Sequence, residues 1–333
     1  MNHLRKYRIY LLLAGLLIFS QVQAEKKLAQ TGFQFLSVIP DARSAALAGA
    51  MTTMPAYSSA LWSNPATLTE LEVKTEIMFN QNKWISDIDH YALSAAFRPY
   101  NGRYGNFAVG FLFVDYGEIE GTILAGNEQG YLETETIEPY AYSLGLGYAI
   151  QLSDKFSVGG QIKLVDQYLG PALRTLDNYQ VEQNVDINEV STIAFDLGTM
   201  YRAGFKSLVF GMSVRNFSPE VRYAKEGFQL PLTFNIGISM DLLDFLPEKF
   251  PAHALIFSVD ATHPRSYPEF AKMAIEYDFI KTFFLRLGYV SNRDEENFSY
   301  GFGFKKFGLG LDYAYTPFGV FNNVQRFSIY FSF

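Results

Sequence analysis

The sequence contains no cysteine and only four histidines among its 333 residues. The lack of cysteine excludes disulfides and thiolate metal sites. The three histidines after residue 24 are His90, His253 and His263, and they form no His-x-x-x-His or His-Glu-x-x-His pattern, so a zinc site is not expected. We therefore predict no catalytic, cofactor-binding or metal-binding residue, and expect a protein that is not an enzyme.

After residue 24 the sequence also lacks any apolar stretch that approaches the roughly 20 residues of a transmembrane helix. The first 24 residues have the pattern of a secretory signal: three basic residues at positions 5–8, the apolar run 9–19, and the small-residue cleavage site Val22-Gln23-Ala24. We predict that residues 1–24 are a signal peptide, the alternative being a retained N-terminal anchor. Removing these residues takes away three basic and no acidic side chains, so the net charge falls from −7 to −10. That charge argues against a nucleic-acid partner.

Aromatic residues make up 17% of the chain, and they recur at every second position. Large apolar residues alternate with glycine, alanine and serine in the segments 140–150, 298–304 and 307–315. A helix would instead need apolar residues three and four positions apart. The pattern therefore predicts strands with one apolar face.

The opposite face of these strands separates a membrane barrel from a soluble sandwich. It is built mostly of small residues with scattered charges, namely Lys163, Asp196, Lys272, Glu276, Asp278 and Arg286. A soluble sandwich would turn its large apolar residues inward and its charges outward, and we keep it as the alternative. Small residues and sparse charges suit the interior of a barrel whose aromatic side faces outer-membrane lipid.

We count fourteen strands, an even number as single-chain bacterial barrels require. Their predicted bounds are 75–82, 89–98, 105–116, 139–151, 155–167, 191–202, 207–216, 230–241, 253–262, 269–279, 282–291, 297–306, 307–316 and 325–333. The predicted fold is all-β, a 14-stranded antiparallel transmembrane β-barrel over residues 75–333, integral to the bacterial outer membrane. Residues 25–74 precede it as an N-terminal luminal hatch, or plug, segment.

The lengths of the connections support this fold. With a periplasmic N-terminus, most periplasmic turns are short, and the exception is the segment 242–252. The opposite set contains the long segments 117–138, 168–190 and 217–229, as expected for outer loops. Asp87, Asp89 and His90 cluster at one predicted outer loop, and we interpret them as solvated loop residues. A hydrolytic site would need further carboxylates or a serine within hydrogen-bond reach.

The last strand carries a membrane-insertion signal. Phe327, Ile329, Phe331 and Phe333 alternate with smaller or polar residues, and the chain ends on phenylalanine. Such a strand resembles the signal that the outer-membrane assembly machinery reads, so that machinery is an expected partner during biogenesis. The alternative is an ordinary edge strand, which would invite aggregation in a soluble protein.

The segment before the barrel contains two short motifs, Pro40-Asp41-Ala42-Arg43 and Asn64-Pro65-Ala66. An Asn-Pro pair initiates turns because proline fixes φ and keeps the preceding residue out of the helical region. A hatch with Asn-Pro-Ala ahead of fourteen strands resembles the FadL-like superfamily of long-chain fatty-acid transporters. Within that superfamily, the two motifs and Gly32–Leu36 resemble the PorV/PorQ family. The small-residue stretch 44–50 leaves the choice between the PorV and PorQ branches open.

The resemblance implies an outer-membrane component of the type IX secretion system of Bacteroidota and related bacteria. PorV-like proteins receive secreted cargo by its C-terminal signal domain and deliver it to a surface attachment complex, whereas PorQ-like proteins anchor a partner of that complex. The resemblance thus implies a non-enzymatic protein that binds cargo or attachment-complex partners through its outer loops.

One outer loop has an alternating stretch that could add a strand to a partner's sheet. Its candidate partner-binding residues are Tyr131, Leu132, Glu133, Thr134 and Ile137. The alternative is that the stretch extends the barrel strands above the membrane as a hairpin. A rival function is transport of fatty acids or other hydrophobic solutes along a luminal path that includes Leu112, Val114, Val165 and Ile256.

Overall fold

The computed structural model describes residues 31–172, 186–223, 227–247, 250, 252–293, 296–321 and 323–333. The predicted signal peptide, residues 1–24, lies outside the described residues. Within the described part of the chain, no helix is both long enough and apolar enough to span a membrane.

Fourteen antiparallel strands form a closed barrel, as the sequence predicts, and the first and last of them pair to complete the ring. The barrel strands are β1 (Thr75–Lys83), β2 (Asp89–Phe97), β3 (Asn106–Asp115), β6 (Tyr140–Ser153), β7 (Phe156–Ala172), β8 (Asp186–Arg202), β9 (Val209–Phe217), β12 (Thr233–Asp241), β13 (His253–Pro264), β14 (Phe270–Phe279), β15 (Phe283–Val290), β16 (Phe298–Lys306), β17 (Leu309–Thr316) and β18 (Val324–Ser332). Two hairpins lie outside the ring, β4 (Ile119–Leu124) with β5 (Tyr131–Ile137), and β10 (Val221–Arg222) with β11 (Gly227–Phe228).

Burial along the strands follows the period of two. In β6 the buried Ala141 and Ser143 alternate with the outward Leu144 and Leu146, and β18 has the same pattern. The outward face of the ring carries apolar side chains exposed to the surroundings, while small and charged residues face inward. This arrangement, in a closed ring that leaves no free barrel edge, is that of an integral outer-membrane protein.

Most strand ends lie within two residues of the predicted bounds, and several of the differences have a structural reason. Strand β7 runs on to Ala172 and pairs with β8 across a register shift between Tyr168 and Pro171, so these two strands continue into the predicted outer loop. Strand β12 begins at Thr233 rather than at residue 230, because Pro231 has no backbone N–H to donate to a neighbouring strand. Strand β17 begins at Leu309, because Phe307 and Gly308 both have positive φ, as a two-residue hairpin turn requires.

The two ends of the barrel are distinguished by their connections. One end carries the tight turns 154–155, 280–282 and 307–308, and the other carries the two small hairpins. Short turns mark the periplasmic end of such barrels and longer loops the outer end. Strand β1 therefore starts at the periplasmic end.

Residues 31–74, which we call the inner segment, lie inside the ring. A parallel bridge from Thr31 to Gln229 holds the start of the inner segment at the outer end, and Thr75 begins β1 at the periplasmic end. The inner segment contains the helix α1 (Ala42–Ala46) and the 3-10 helices Gln34–Ser37, Tyr57–Trp62 and Pro65–Glu70. Further 3-10 turns occupy Ile85–Asp87, Pro99–Gly102 and Leu242–Phe245.

Two apolar clusters join the inner segment to the inward face of the barrel. One is centred on Leu47, Met51 and Leu61, and packs against alanines of β2, β3 and β6. The other contains Phe33 and Phe35, and packs against inward side chains of β3, β6 and β7. The hydrophobic core of this barrel is therefore the contact between the inner segment and the strands.

Candidate functional site

The motif Pro40-Asp41-Ala42-Arg43 starts the helix of the inner segment. Asp41 caps α1, since its Oδ2 accepts a hydrogen bond from the Ser44 backbone N–H at 2.9 Å. The Ala42 backbone N–H donates to Ser328 Oγ of β18 at 2.8 Å. The motif thus ends a turn, starts a helix and attaches that helix to the strand that closes the barrel.

Arg43 connects the inner segment to three strands through a buried charge network. Its Nε and Nη2 donate to the two carboxylate oxygens of Glu276 at 2.8 and 2.7 Å. Arg286 Nε also donates to Glu276, at 2.6 Å, and Arg286 Nη1 donates to Asp312 at 2.5 Å. The four groups carry two positive and two negative charges, so each buried charge has an opposite partner. Arg43 also donates to the carbonyl oxygen of Pro55.

The motif Asn64-Pro65-Ala66 forms a capped turn against β7 and β8. Asn64 Oδ1 accepts from the Ala66 N–H at 3.0 Å, and Asn64 Nδ2 donates to the Thr52 and Thr199 carbonyl oxygens at 2.7 and 3.1 Å. All three motif residues are buried. Because Asn64 contacts the turn that follows α1, the two motifs belong to one folded unit.

Two strand glycines make room for this turn. A Cβ atom on Gly198 would overlap Asn64 Oδ1, and one on Gly159 would lie 2.5 Å from the Pro65 carbonyl carbon. Both positions are closer than real Cβ contacts allow. The sequence gives no separate signal for this role, since glycine is frequent at inward positions throughout the barrel.

Other polar anchors of the inner segment were not identified from the sequence. Asp260 accepts from the Thr52 N–H and hydroxyl at 3.0 and 2.6 Å. Glu76 accepts from the Ser58 hydroxyl at 2.9 Å. The sequence could have indicated these two anchors, because Glu76 and Asp260 are carboxylates at inward positions of apolar strands.

The residues of the proposed solute path contact the inner segment. Leu112, Val114 and Val165 are buried in the cluster that contains Phe33 and Phe35. Ile256 is partly buried and packs against the other cluster. The inner segment thus covers the inward apolar surface on which the transport alternative depended.

The candidate partner-binding residues form one strand of an outer hairpin. Tyr131, Leu132, Glu133, Thr134 and Ile137 lie in β5, which pairs with β4 apart from the barrel sheet. Tyr131 and Leu132 are exposed, whereas Ile137 packs against Gly170 at the base. Within the described residues, β4 and β5 each have a sheet edge without a neighbouring strand. The stretch is therefore a hairpin, and addition of a partner's strand stays a prediction.

The base of this hairpin is held by hydrogen bonds to two partly buried tyrosine hydroxyl groups. Gln167 Nε2 donates to Tyr116 Oη at 3.0 Å, and Tyr223 Oη donates to Gln167 Oε1 at 3.0 Å. Burial raises the pKa of Tyr116 to about 12, although the hydrogen bond from Gln167 lowers that pKa somewhat. Both contacts therefore persist at neutral pH and link the hairpin base to β7 and to the neighbouring outer loop.

The predicted insertion-signal residues lie on the lipid-facing side of the closing strand. Phe327, Phe331 and Phe333 are exposed and Ile329 is half-buried, and β18 pairs with both β17 and β1. These four side chains point away from the inner segment. Their recognition by the assembly machinery stays a prediction.

A charged residue introduced on this face tests whether the face is in contact with lipid. We expect Phe327→Lys to lower the stability of the inserted barrel by about 2–4 kcal/mol, since lysine near the bilayer midplane costs that much. The matched control is Phe321→Lys, because Phe321 lies in an outer loop with 47% exposure against 48% for Phe327. The measurement is the folded fraction after insertion into lipid vesicles, by heat-dependent gel mobility. Equal folding of the two variants would contradict the assignment.

His90 corrects one interpretation of the sequence. Together with Asp87 and Asp89 it was expected to be solvated, but His90 lies in β2 with 2% exposure and its ring stands edge-on to Trp84. The inward period of two explains this placement, because Ala92, Ser94 and Ala96 also face inward. Neither ring nitrogen of His90 has a hydrogen-bond partner in the described part of the chain. In that same part, no cluster of three or more His, Asp or Glu could hold a metal ion.

Comparisons with known proteins agree with this architecture. The family model described as "Type IX secretion system protein PorV" matches residues 21–251. No curated protein matches the chain. Among solved structures, a "CymD monoaromatic hydrocarbon channel" has a TM-score of 0.59 and 14% identity, over 88% of this chain and 97% of that chain. The Pseudomonas putida toluene transporter TodX has a TM-score of 0.58 and 12% identity, over 92% and 98%. A Pseudomonas aeruginosa FadL homologue has a TM-score of 0.50 and 12% identity, over 93% and 100%. At these identities, the three structures show a shared fold.

Proposed function

Because the chain belongs to the PorV family of type IX secretion system proteins, we propose that it binds secreted cargo or attachment-complex partners at the outer surface. The observation that carries the proposal is the hairpin β4–β5, which stands at the outer end of a barrel filled by its own inner segment. Because the inner segment covers the inward apolar surface of the lumen, binding of a partner by the outer loops is favoured over passage of a solute through the barrel.

The chemistry of the hairpin suits a protein partner. Its exposed apolar side chains include Ile119, Leu124, Tyr131 and Leu132. Exposed apolar residues beside an open strand edge favour strand addition, in which backbone hydrogen bonds supply affinity and alternate side chains supply specificity. A cargo domain or attachment-complex component with its own open sheet edge fits this surface.

Removing one apolar side chain from the hairpin should weaken partner binding. We expect Leu132→Asp to lower the affinity for cargo or attachment-complex partners about tenfold, as loss of a central apolar interface contact does. Affinity-tagged barrels would be recovered from solubilised outer membranes, and the co-purifying cargo and secretion-system proteins quantified.

The matched control is Leu246→Asp, because Leu246 lies in a periplasmic connection with 48% exposure against 50% for Leu132. Leu246→Asp should leave recovery unchanged if binding occurs at the outer end. Equal recovery with both variants, or no secretion-system protein with the unaltered barrel, would contradict the proposal.

Solute transport is the second candidate, favoured by the shared fold with a hydrocarbon channel and a toluene transporter. For this function the inner segment would have to move away from Leu112, Val114 and Val165, which it now covers. Deletion of the gene separates the two candidates. Loss of secretion with unchanged uptake of toluene and fatty acids supports the binding proposal, and the reverse result supports transport.

A further inference from the structure

The inner segment leaves a cavity of about 360 Å³ at the outer end of the barrel. Its floor is formed by the inner segment between Gln34 and Ser63. Its walls are the outer parts of strands, represented by Thr233 at the start of β12 and Thr316 at the end of β17. Because the inner segment closes the periplasmic side, a ligand would enter and leave from the outer side.

Four basic side chains line this cavity, and only one carboxylate, Glu296, accompanies them among the described lining residues. The basic residues are Arg215, Lys272, Arg293 and Arg326. Glu296 lies 3.6 Å from Arg293, and it is the only ion-pair partner of the four in the described part of the chain. The described cavity wall therefore carries an excess of three positive charges.

The other three basic side chains contact neutral groups or no group. Arg326 donates to the Ile39 carbonyl oxygen at 3.0 Å and to Thr316 Oγ1 at 3.1 Å. Lys272 Nζ lies 3.3 Å from the Gly49 carbonyl oxygen. Arg215 Nε is buried and has no hydrogen-bond partner among the described residues.

The carboxylates behind the wall accept hydrogen bonds from other groups and attract the cavity cations only at longer range. Asp41 Oδ1 and Asp260 Oδ1 have no hydrogen-bond partner among the described residues. Asp196 accepts from Lys163 Nζ at 2.7 and 2.9 Å, and Asp260 accepts from Thr52. Asp41 accepts from the Ser44 N–H. None of these carboxylates forms an ion pair with Arg215, Lys272 or Arg326, and an anion in the cavity would give these partly or fully buried cations an opposite charge.

The cavity also has aromatic walls. Trp84 stands edge-on to Phe318 with ring centroids 5.1 Å apart, and the Arg326 guanidinium lies 5.3 Å from the Trp84 ring centroid. The Arg293 guanidinium lies 4.6 Å from the Phe270 ring centroid. Rings beside cations suit a ligand that has both an acidic group and an apolar body.

We propose that this cavity binds a small organic anion, with its carboxylate or phosphate group held by Arg215 and Lys272 and its apolar body against Trp84 and Phe318. The site faces outward and is closed toward the periplasm by the inner segment, so it binds the ligand without passing it across the membrane. The site is distinct from the hairpin β4–β5 and does not depend on the function proposed for that hairpin.

Both tryptophans of the chain, Trp62 and Trp84, line the cavity, so intrinsic fluorescence reports on it directly. The full-length barrel in non-ionic detergent would be titrated with hexanoate, with hexyl phosphate and with neutral hexanol. We expect one or both anions to change the fluorescence saturably and hexanol to have no comparable effect. Tighter binding of hexanoate identifies a carboxylate ligand, and tighter binding of hexyl phosphate identifies a phosphate ligand.

The variant Arg215→Gln should weaken binding of the anion about tenfold, since it removes a charge-assisted hydrogen bond from a buried site. The matched control, Arg222→Gln, removes the same charge from the exposed outer ion pair with Glu220 and should leave affinity unchanged. Arg293→Gln, at the cavity rim, provides a second variant if Arg215→Gln does not fold. Hexanol binding as tightly as the anions, or equal anion affinity in the cavity variant and the control, would overturn the proposal.

Discussion

Replacing Glu276 with glutamine should lower the free energy of unfolding of the barrel by about 3–5 kcal/mol, the cost of breaking a buried ion pair from one side. Glu276 accepts from both Arg43 and Arg286 within the network that includes Asp312. Without its charge, two buried guanidinium groups share one carboxylate. Because Arg43 belongs to the inner segment, the loss should loosen the inner segment as well as the strands.

The double variant Arg43→Gln with Glu276→Gln is the control for charge balance. It leaves Arg286 paired with Asp312 at 2.5 Å and restores a neutral cluster. We expect it to be more stable than Glu276→Gln alone, and the cycle completed with the single variant Arg43→Gln to give a coupling free energy of about 1–3 kcal/mol. Urea unfolding in detergent, followed by tryptophan fluorescence, measures each free energy. Additive effects of the two substitutions would show that the network does not hold the inner segment.

Adding one methyl group at Gly198 should destabilise the barrel by about 3 kcal/mol. The new Cβ would overlap Asn64 Oδ1, so the Asn64-Pro65-Ala66 turn must shift and its buried hydrogen bonds to Thr52 and Thr199 are strained. Overpacking and loss of a buried hydrogen bond each cost about 1–3 kcal/mol.

The matched control for Gly198→Ala is Gly160→Ala in the neighbouring strand. A Cβ on Gly160 would meet Leu197 Cδ2 at 3.4 Å and the Asp196 carbonyl oxygen at 3.6 Å, which are ordinary contacts. Gly160→Ala should therefore change the free energy of unfolding by less than about 1 kcal/mol, and urea unfolding of both variants measures the difference. Equal stability would mean that the turn does not approach β8 as closely as described.

The closed ring and its fourteen strands were predictable because a strand places alternate side chains on opposite faces, and lipid selects one face strongly. The Tyr140–Ile150 segment shows this clearly, since its tyrosine, leucine and isoleucine residues all share the outward side. The same period would also have placed His90 inside, had it been continued from Ala92, Ser94 and Ala96. The predicted strand 89–98 already included His90, and the error came from interpreting its first two residues as part of the adjacent loop.

The contacts of the inner segment were not predictable in the same way. Arg43 and Glu276 are 233 positions apart, and only the register of the whole ring brings them together. The motif Asn64-Pro65-Ala66 predicts a turn. The two glycines that accommodate it, Gly159 and Gly198, cannot be distinguished in the sequence from the other inward glycines. Local patterns define the strands, whereas the partners inside the ring depend on how all fourteen strands are aligned.

The path of the inner segment has a consequence for biogenesis. The chain passes the full depth of the ring, from the bridge between Thr31 and Gln229 to Thr75. If β1 paired with β18 first, the inner segment would have to be threaded through a closed barrel and form its contacts with the strands one after another. Closure of the sheet around a segment that is already in place avoids that threading. The inner segment would then act as a template around which the barrel strands assemble.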